Sequence, residues 1–322
     1  MKNKLFVAVC AIAIVISVAV ITISLISSGI IRTDSEPISI ERTTAIKLEN
    51  LGSAAELEGN IGIISIFADD LNGKWSFDNA DDLKKRDDAL NYVAIATDWL
   101  EIQAEKYNKH VKFYFAGSEE SDLYYRTRFD DKSANVEKAR EKSMPVQWKY
   151  IDENIDNRSL KEKYDLDSMV YIIFLNPESD SSSSAFVVRY YNKVNDYPYE
   201  TAFLPMEYKG TVLAPAVVAH EILHLFGAPD LYGVDKNDMN YGTTDDYVAY
   251  CEKNHKNEIM YTTFARDENG NKYKVFDRIT NDLTDITAYY VGWTDNVPPE
   301  VEKFGLVHSQ HEYYKQNKRH NS

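Results

Sequence analysis

The chain has 322 residues, 44% hydrophobic and 27% charged, with only 13 Gly and 9 Pro, which excludes collagen-like, disulfide-rich and wholly disordered chains. Its 51 acidic against 36 basic residues give a formal charge of -15, which repels a phosphate backbone and argues against nucleic acid as a partner. Two cysteines, Cys10 and Cys251, make no disulfide framework, so a packed core, a metal or both must hold the fold.

Lys2 and Lys4 precede residues 5–31, a run without a charged residue. About 20 apolar residues span a bilayer core, and a cleaved signal peptide has a shorter apolar stretch of about 7–15. Residues 1–32 therefore read as an uncleaved membrane anchor, with removal as a signal peptide the alternative. Lysines on the short N-terminal side predict that end inside and the rest outside the cytoplasm. Cys10 reads as an apolar residue of the anchor. Residues 33–59 are polar and aperiodic, a stalk or short pro-segment.

A folded body is expected over residues 60–295. Residues 61–67 form an apolar run that reads as a buried strand. From residue 78 to 109, Leu83, Leu90, Val93, Ile95, Trp99, Leu100 and Ile102 recur at helical spacing among charges, a long amphipathic helix. Residues 111–115, 169–175, 185–191 and 201–206 are rich in β-branched and aromatic residues and read as strands. Of these, 185–191 precedes the chemistry-bearing segment and is the expected edge strand for an extended substrate.

That segment, residues 214–230, contains His220-Glu221-Ile-Leu-His224-Leu-Phe-Gly227-Ala-Pro-Asp230, the pattern HExxHxxGxxD. Residues four apart share a helix face, so His220 and His224 can present two imidazoles to one ion. Glu221 points about 100° away, where it can reach a water without ligating the metal, as a general base must. Gly227 can end the helix in a left-handed cap and Pro229 prevents its resumption, which swings Asp230 back toward the ion. Two His and one carboxylate, with one position open, make a catalytic zinc set.

The segment resembles the active-site helix of metzincin zinc peptidases. Asp230 at the third ligand position is similar to the snapalysin and immune-inhibitor-A type. The resemblance implies an α+β, metzincin-like fold: a mixed twisted sheet with a long backing helix and an active-site helix, then a smaller C-terminal subdomain with a Met-containing turn and a closing helix. Asn257-Glu-Ile-Met260-Tyr-Thr fits that turn, with Met260 as an apolar floor under the histidines, and residues 282–293 fit the closing helix. The family's transition-state tyrosine has no match at Thr262, which leaves Tyr232, Tyr241 and Tyr261 open. Implied are one catalytic Zn2+ and a protein or peptide substrate, on a chain held at the lipid bilayer through residues 5–31.

Other readings stay beside this one. The chain can be a non-catalytic zinc-containing surface binding or adhesion protein, or a zinc hydrolase whose third ligand is a distal Glu252 or Glu258. Asp235, Asp238, Asp245 and Asp246 offer a weak case for Ca2+ and read first as solvated loop carboxylates. Cys251 reads as a buried thiol. His308 and His311 fall in residues 296–322, expected to be an exposed polar tail after Pro298-Pro299.

Overall fold

The computed structural model describes residues 53–54, 56–130, 133, 144–178, 185–188, 199–232 and 243–311. The expected anchor and most of the 33–59 segment lie outside these residues. No helix among the described residues is long and apolar enough to cross a membrane.

The expected long apolar run becomes β1 (Gly59–Asp69). Its ladder partner across most of its length is β4 (Ser168–Leu175), parallel to it from Ile61↔Ser168 to Ala68↔Leu175. On its other side β1 pairs in parallel with β2 (Val111–Phe115) over its first half and with β3 (Tyr124–Arg128) over its second. Beyond β4 lies β6 (Thr201–Pro205), parallel again, and then β5 (Phe186–Val188), antiparallel to β6. The sheet order is β2-β1-β4-β6-β5, with β3 joined to β1. Every residue of β4 and β6 is buried, as expected of parallel strands covered on both faces. The fold is thus mixed α/β with a mostly parallel central sheet and seven helices among the described residues. The mixed sheet was expected; it is more parallel than an α+β fold implies, with helices connecting β1 to β2 and β3 to β4.

The predicted long helix is α1 (Ala80–Glu105). The Asn79 side chain caps it by accepting from Asp81 N–H at 2.8 Å, and Asp81 and Asp82 sit in its first turn, where the helix dipole favours them. Leu90, Val93, Trp99 and Leu100 are buried as the spacing implied, but Ile102 is 56% exposed and falls off the packed stripe. Short helices α2 (Met144–Asn154) and α3 (Asn157–Tyr164) lead into β4. A small hairpin, β7 (Glu207–Tyr208) and β8 (Thr211–Val212), then precedes α4 (Pro215–Leu225). Helix α4 packs against α1 and against β5 and β6. After it come α5 (Asp245–Asn254), the hairpin β9 (Ala265–Arg266) with β10 (Lys272–Tyr273), α6 (Asp285–Tyr290) and α7 (Pro299–Phe304). The closing helix is shorter than residues 282–293, because Gly292 at φ +83° ends it.

The body extends past both expected boundaries. Before residue 60, Ala54 and Leu57 are buried, the Glu200 carboxylate accepts from Ser53 and Ala54 N–H at 2.7 and 2.9 Å, and Trp293 Nε1 donates to the Leu57 carbonyl at 2.7 Å. After residue 295 the expected exposed tail is packed as far as residue 311: Val301 and Leu306 are buried, and His311 is 3% exposed with Nε2 3.0 Å from the Phe226 carbonyl. His308 Nδ1 lies 3.0 Å from the Tyr289 hydroxyl. Both histidines close polar groups under the C-terminal helices, a role that an i, i+3 spacing alone does not signal.

Candidate metal centre

Helix α4 starts with Pro215 at its first position, where a missing N–H costs nothing, and carries apolar residues on nearly every face. Ile222, Leu223, Leu225 and Phe226 are all fully buried, which seats the helix inside the body as expected. His220 and Glu221 are almost fully buried, whereas the side chains of His224 and Asp230 keep 15% and 18% exposure. The cluster is therefore open to solvent on the His224 and Asp230 side.

The helix ends as Gly227 predicts. Gly227 has φ 113°, its N–H donates to the His224 carbonyl at 3.0 Å, and Ala228 N–H donates to Leu223 at 3.1 Å. These paired bonds are a Schellman cap, which reverses the chain and returns Asp230 to the helix face. Asp230 Oδ1 lies 3.2 Å from His220 Nε2 and 3.1 Å from His224 Nε2, and the two Nε2 atoms are 3.0 Å apart. His220, His224 and Asp230 thus form a group close enough to hold one metal ion.

The rings are oriented from behind. His220 Nδ1 is 2.9 Å from the Ile259 carbonyl, and His224 Nδ1 is 2.7 Å from the Ala228 carbonyl. A carbonyl can only accept, so each neutral ring keeps its proton on Nδ1 and presents a bare Nε2 to the shared point. Two lone pairs and a carboxylate aimed at one spot repel unless a cation sits there. Zinc–ligand bonds of about 2.0–2.1 Å in a tetrahedron separate donors by roughly 3.3 Å, close to the spacings here. The donor set fits zinc and other borderline divalent ions. Burial alone lowers the basicity of His220, but the hydrogen bond and charge of Asp230 outweigh it and raise its pKa to about 9. Burial works in the opposite sense on Asp230, and the two imidazoles hold its carboxyl well below the usual range. In the absence of an ion, these groups hold a proton where a cation fits.

Glu221 stands outside the ligand group, and burial raises its pKa against the lowering effect of His220 and His224. Met260 is fully buried in the turn after α5, and its carbonyl accepts from Leu231 N–H at 2.9 Å. The turn is closed by Tyr261 and Thr262 N–H on the Glu258 carbonyl at 3.0 and 2.9 Å. It thus touches the backbone beside Asp230 through Met260 and His220 through Ile259. Of the three tyrosines left open by the sequence, Tyr232 stacks on His220 with ring centroids 6.1 Å apart and 41% of its surface exposed. Burial and the charges of Asp230 and Glu221 hold its hydroxyl far above the usual phenol range. Tyr261 lies in the turn, and Tyr241 lies outside the described residues.

Neither alternative third ligand joins the cluster. Glu252 is exposed on α5, and the buried Glu258 carboxylate is occupied by Met260 N–H and the Thr287 hydroxyl, both at 2.5 Å. Asp245 and Asp246 are exposed in the first turn of α5, where the helix dipole favours them, and among the described residues they join no metal-binding group; Asp235 and Asp238 lie outside the described residues. Cys251 is buried, as expected, and burial pushes its thiol up to about 11. Sequence reasoning missed the carbonyls of Ile259 and Ala228, which no residue type announces. It also weighed Glu258 only as a ligand. Compared with protein-family models the chain matches none, and no curated protein matches it.

Proposed function

We propose that this chain is a zinc-dependent endopeptidase of metzincin type. The observation that carries the reading is the convergence of His220 Nε2, His224 Nε2 and Asp230 Oδ1 within 3.2 Å of one another, each imidazole backed by a carbonyl on Nδ1. When bound, the zinc supplies a Lewis acid for the scissile carbonyl and lowers the pKa of water. Glu221 is the adjoining carboxylate whose pKa is raised by burial, so it accepts the proton that water loses on attacking the carbonyl carbon. It then returns that proton to the amine nitrogen as the C–N bond breaks. A non-catalytic zinc protein has no need of a buried, uncommitted carboxylate beside the ligands.

Strand β5 is the outer strand on the α4 side of the sheet, antiparallel to β6 and packed near α4. Among the described residues β5 is the last strand on that side of the sheet, so an extended peptide could add there as a further strand, the mode expected for a protein or peptide substrate. Among the described residues, Tyr232, stacked on His220, is the tyrosine that can approach a bound carbonyl. The order of strand, long helix, further strands, metal helix and Met260 turn supports the family likeness. Residues 5–31 anchor the chain in the cell membrane with the peptidase body outside the cytoplasm. The test is to incubate the full chain with an unstructured polypeptide and identify fragments by mass. Internal cleavage that stops with a metal chelator and returns with added zinc supports the reading, and cleavage indifferent to chelation overturns it.

A further inference from the structure

The turn beneath the cluster is held by a buried carboxylate with no part in the hydrolysis itself. Glu258 is 1% exposed. Its Oε2 accepts from Met260 N–H at 2.5 Å and its Oε1 accepts from the Thr287 hydroxyl at 2.5 Å, with Thr284 N–H at 3.5 Å. Thr287 is fully buried on α6, so one side chain ties the first turn of that helix to the backbone of the turn. Between its two ends lies Ile259, whose N–H donates to the Asp282 carbonyl at 2.8 Å and whose carbonyl faces His220 Nδ1. Met260, the residue Glu258 grips, accepts from Leu231, the neighbour of Asp230. Two of the three ligands therefore take their position from a five-residue loop that Glu258 braces.

We infer that Glu258 is a positioning residue for the metal centre: it fixes the Met260 turn on α6 so that the Ile259 carbonyl aims the His220 imidazole at the ion. The inference rests on the metal-site reading of His220, His224 and Asp230. The brace works by shape and hydrogen bonding. A Gln at this position keeps an oxygen for Met260 N–H and offers an amide to the Thr287 oxygen, so it preserves both links, whereas Ala removes both. Partners that orient metal-binding histidines are worth about 10–100-fold in metal affinity.

The experiment uses the full chain as wild type and as Glu258→Ala, Glu258→Gln and Thr287→Val. It measures zinc affinity by competition with a chromophoric chelator, the visible spectrum of the cobalt(II) form, and hydrogen exchange at the Met260 amide. Leu160→Ala, a buried residue of α3, which packs near β1, controls for loss of stability alone. Glu258→Ala is expected to weaken zinc binding by about 10–100-fold, alter the cobalt spectrum and speed exchange at Met260, with Gln restoring all three to within about 3-fold. Thr287→Val, which keeps side-chain volume, is expected to fall between and serves if the Ala variant does not fold. Unchanged affinity and spectrum in both Glu258→Ala and Thr287→Val overturn the inference, as does an equal change in Leu160→Ala. If the wild type binds no metal, the proposed function fails, while Met260 exchange still judges the brace.

Discussion

The Nδ1 atom of His220 lies 2.9 Å from the carbonyl oxygen of Ile259, a residue 39 positions further along the chain. That contact decides which nitrogen of a buried imidazole stays bare, and so leaves Nε2 facing His224 and Asp230. His224 reaches the same state through a local device, the Ala228 carbonyl delivered by the Gly227 cap.

Asp230→Ala is expected to weaken zinc binding by at least about 100-fold, more than loss of an outer partner, because it removes one of three donors. Glu252→Ala, on the exposed face of α5, is expected to leave binding unchanged. Chelator competition on both variants decides. Undiminished binding in Asp230→Ala would place the third donor elsewhere.

Gly227→Ala puts a side chain at φ 113°, which L-residues rarely adopt. A loss of about 1–3 kcal/mol in unfolding free energy is expected. Zinc affinity should fall with it, since the Ala228 carbonyl that orients His224 is carried by that cap. Chemical denaturation and a zinc titration of the same sample check both effects.

Burial raises the Glu258 carboxyl from 4.5 to about 7, against the pull of Thr287, Met260, Thr284 and the nearby His220. The folded chain then holds this proton more tightly than the unfolded one, so the stabilisation is complete below about pH 4.5 and is lost as pH rises through 7. For the metal-free chain, the wild type should lose on the order of 3 kcal/mol relative to Glu258→Gln across that window. Denaturant titrations of both chains at pH 4.5, 6 and 7.5 measure the difference. Parallel pH profiles would show that Glu258 does not titrate as described.

Gly292 has φ +83°, and a Cβ there would stand 2.9 Å from His311 Cγ. Gly292→Ala must therefore strain the α6 terminus or displace His311 from the Phe226 carbonyl at the end of α4. A loss of about 1–3 kcal/mol is expected, read from the thermal midpoint. Wild-type stability in this variant would mean that residues 306–311 are dispensable to the body.

The central sheet was legible where burial on both faces leaves continuous apolar runs, as in β1 and β4, and α1 was legible from its period. Strand β3 was not: its sequence, Tyr124-Tyr-Arg-Thr-Arg128, carries exposed arginines and pairs with only half of β1. Helices α2 and α3 have only 11 and 8 residues, too few turns for an apolar period to stand out. The grouping of His220, His224 and Asp230 was readable because helical spacing and a Gly-Pro reversal are local properties. Their orientation was not, because it depends on carbonyls brought from the turn and the cap. The packing of His311 under Phe226 joins residues 85 apart and leaves no local trace.

Glu221→Gln in the full chain separates metal binding from hydrolysis, with bound zinc counted per chain and cleavage of an unstructured polypeptide followed in parallel with the wild type. About one zinc is expected in each form, at unchanged affinity, with cleavage lost in the variant only. Cleavage that survives the substitution, or a wild type that binds no zinc, would contradict the zinc-peptidase reading.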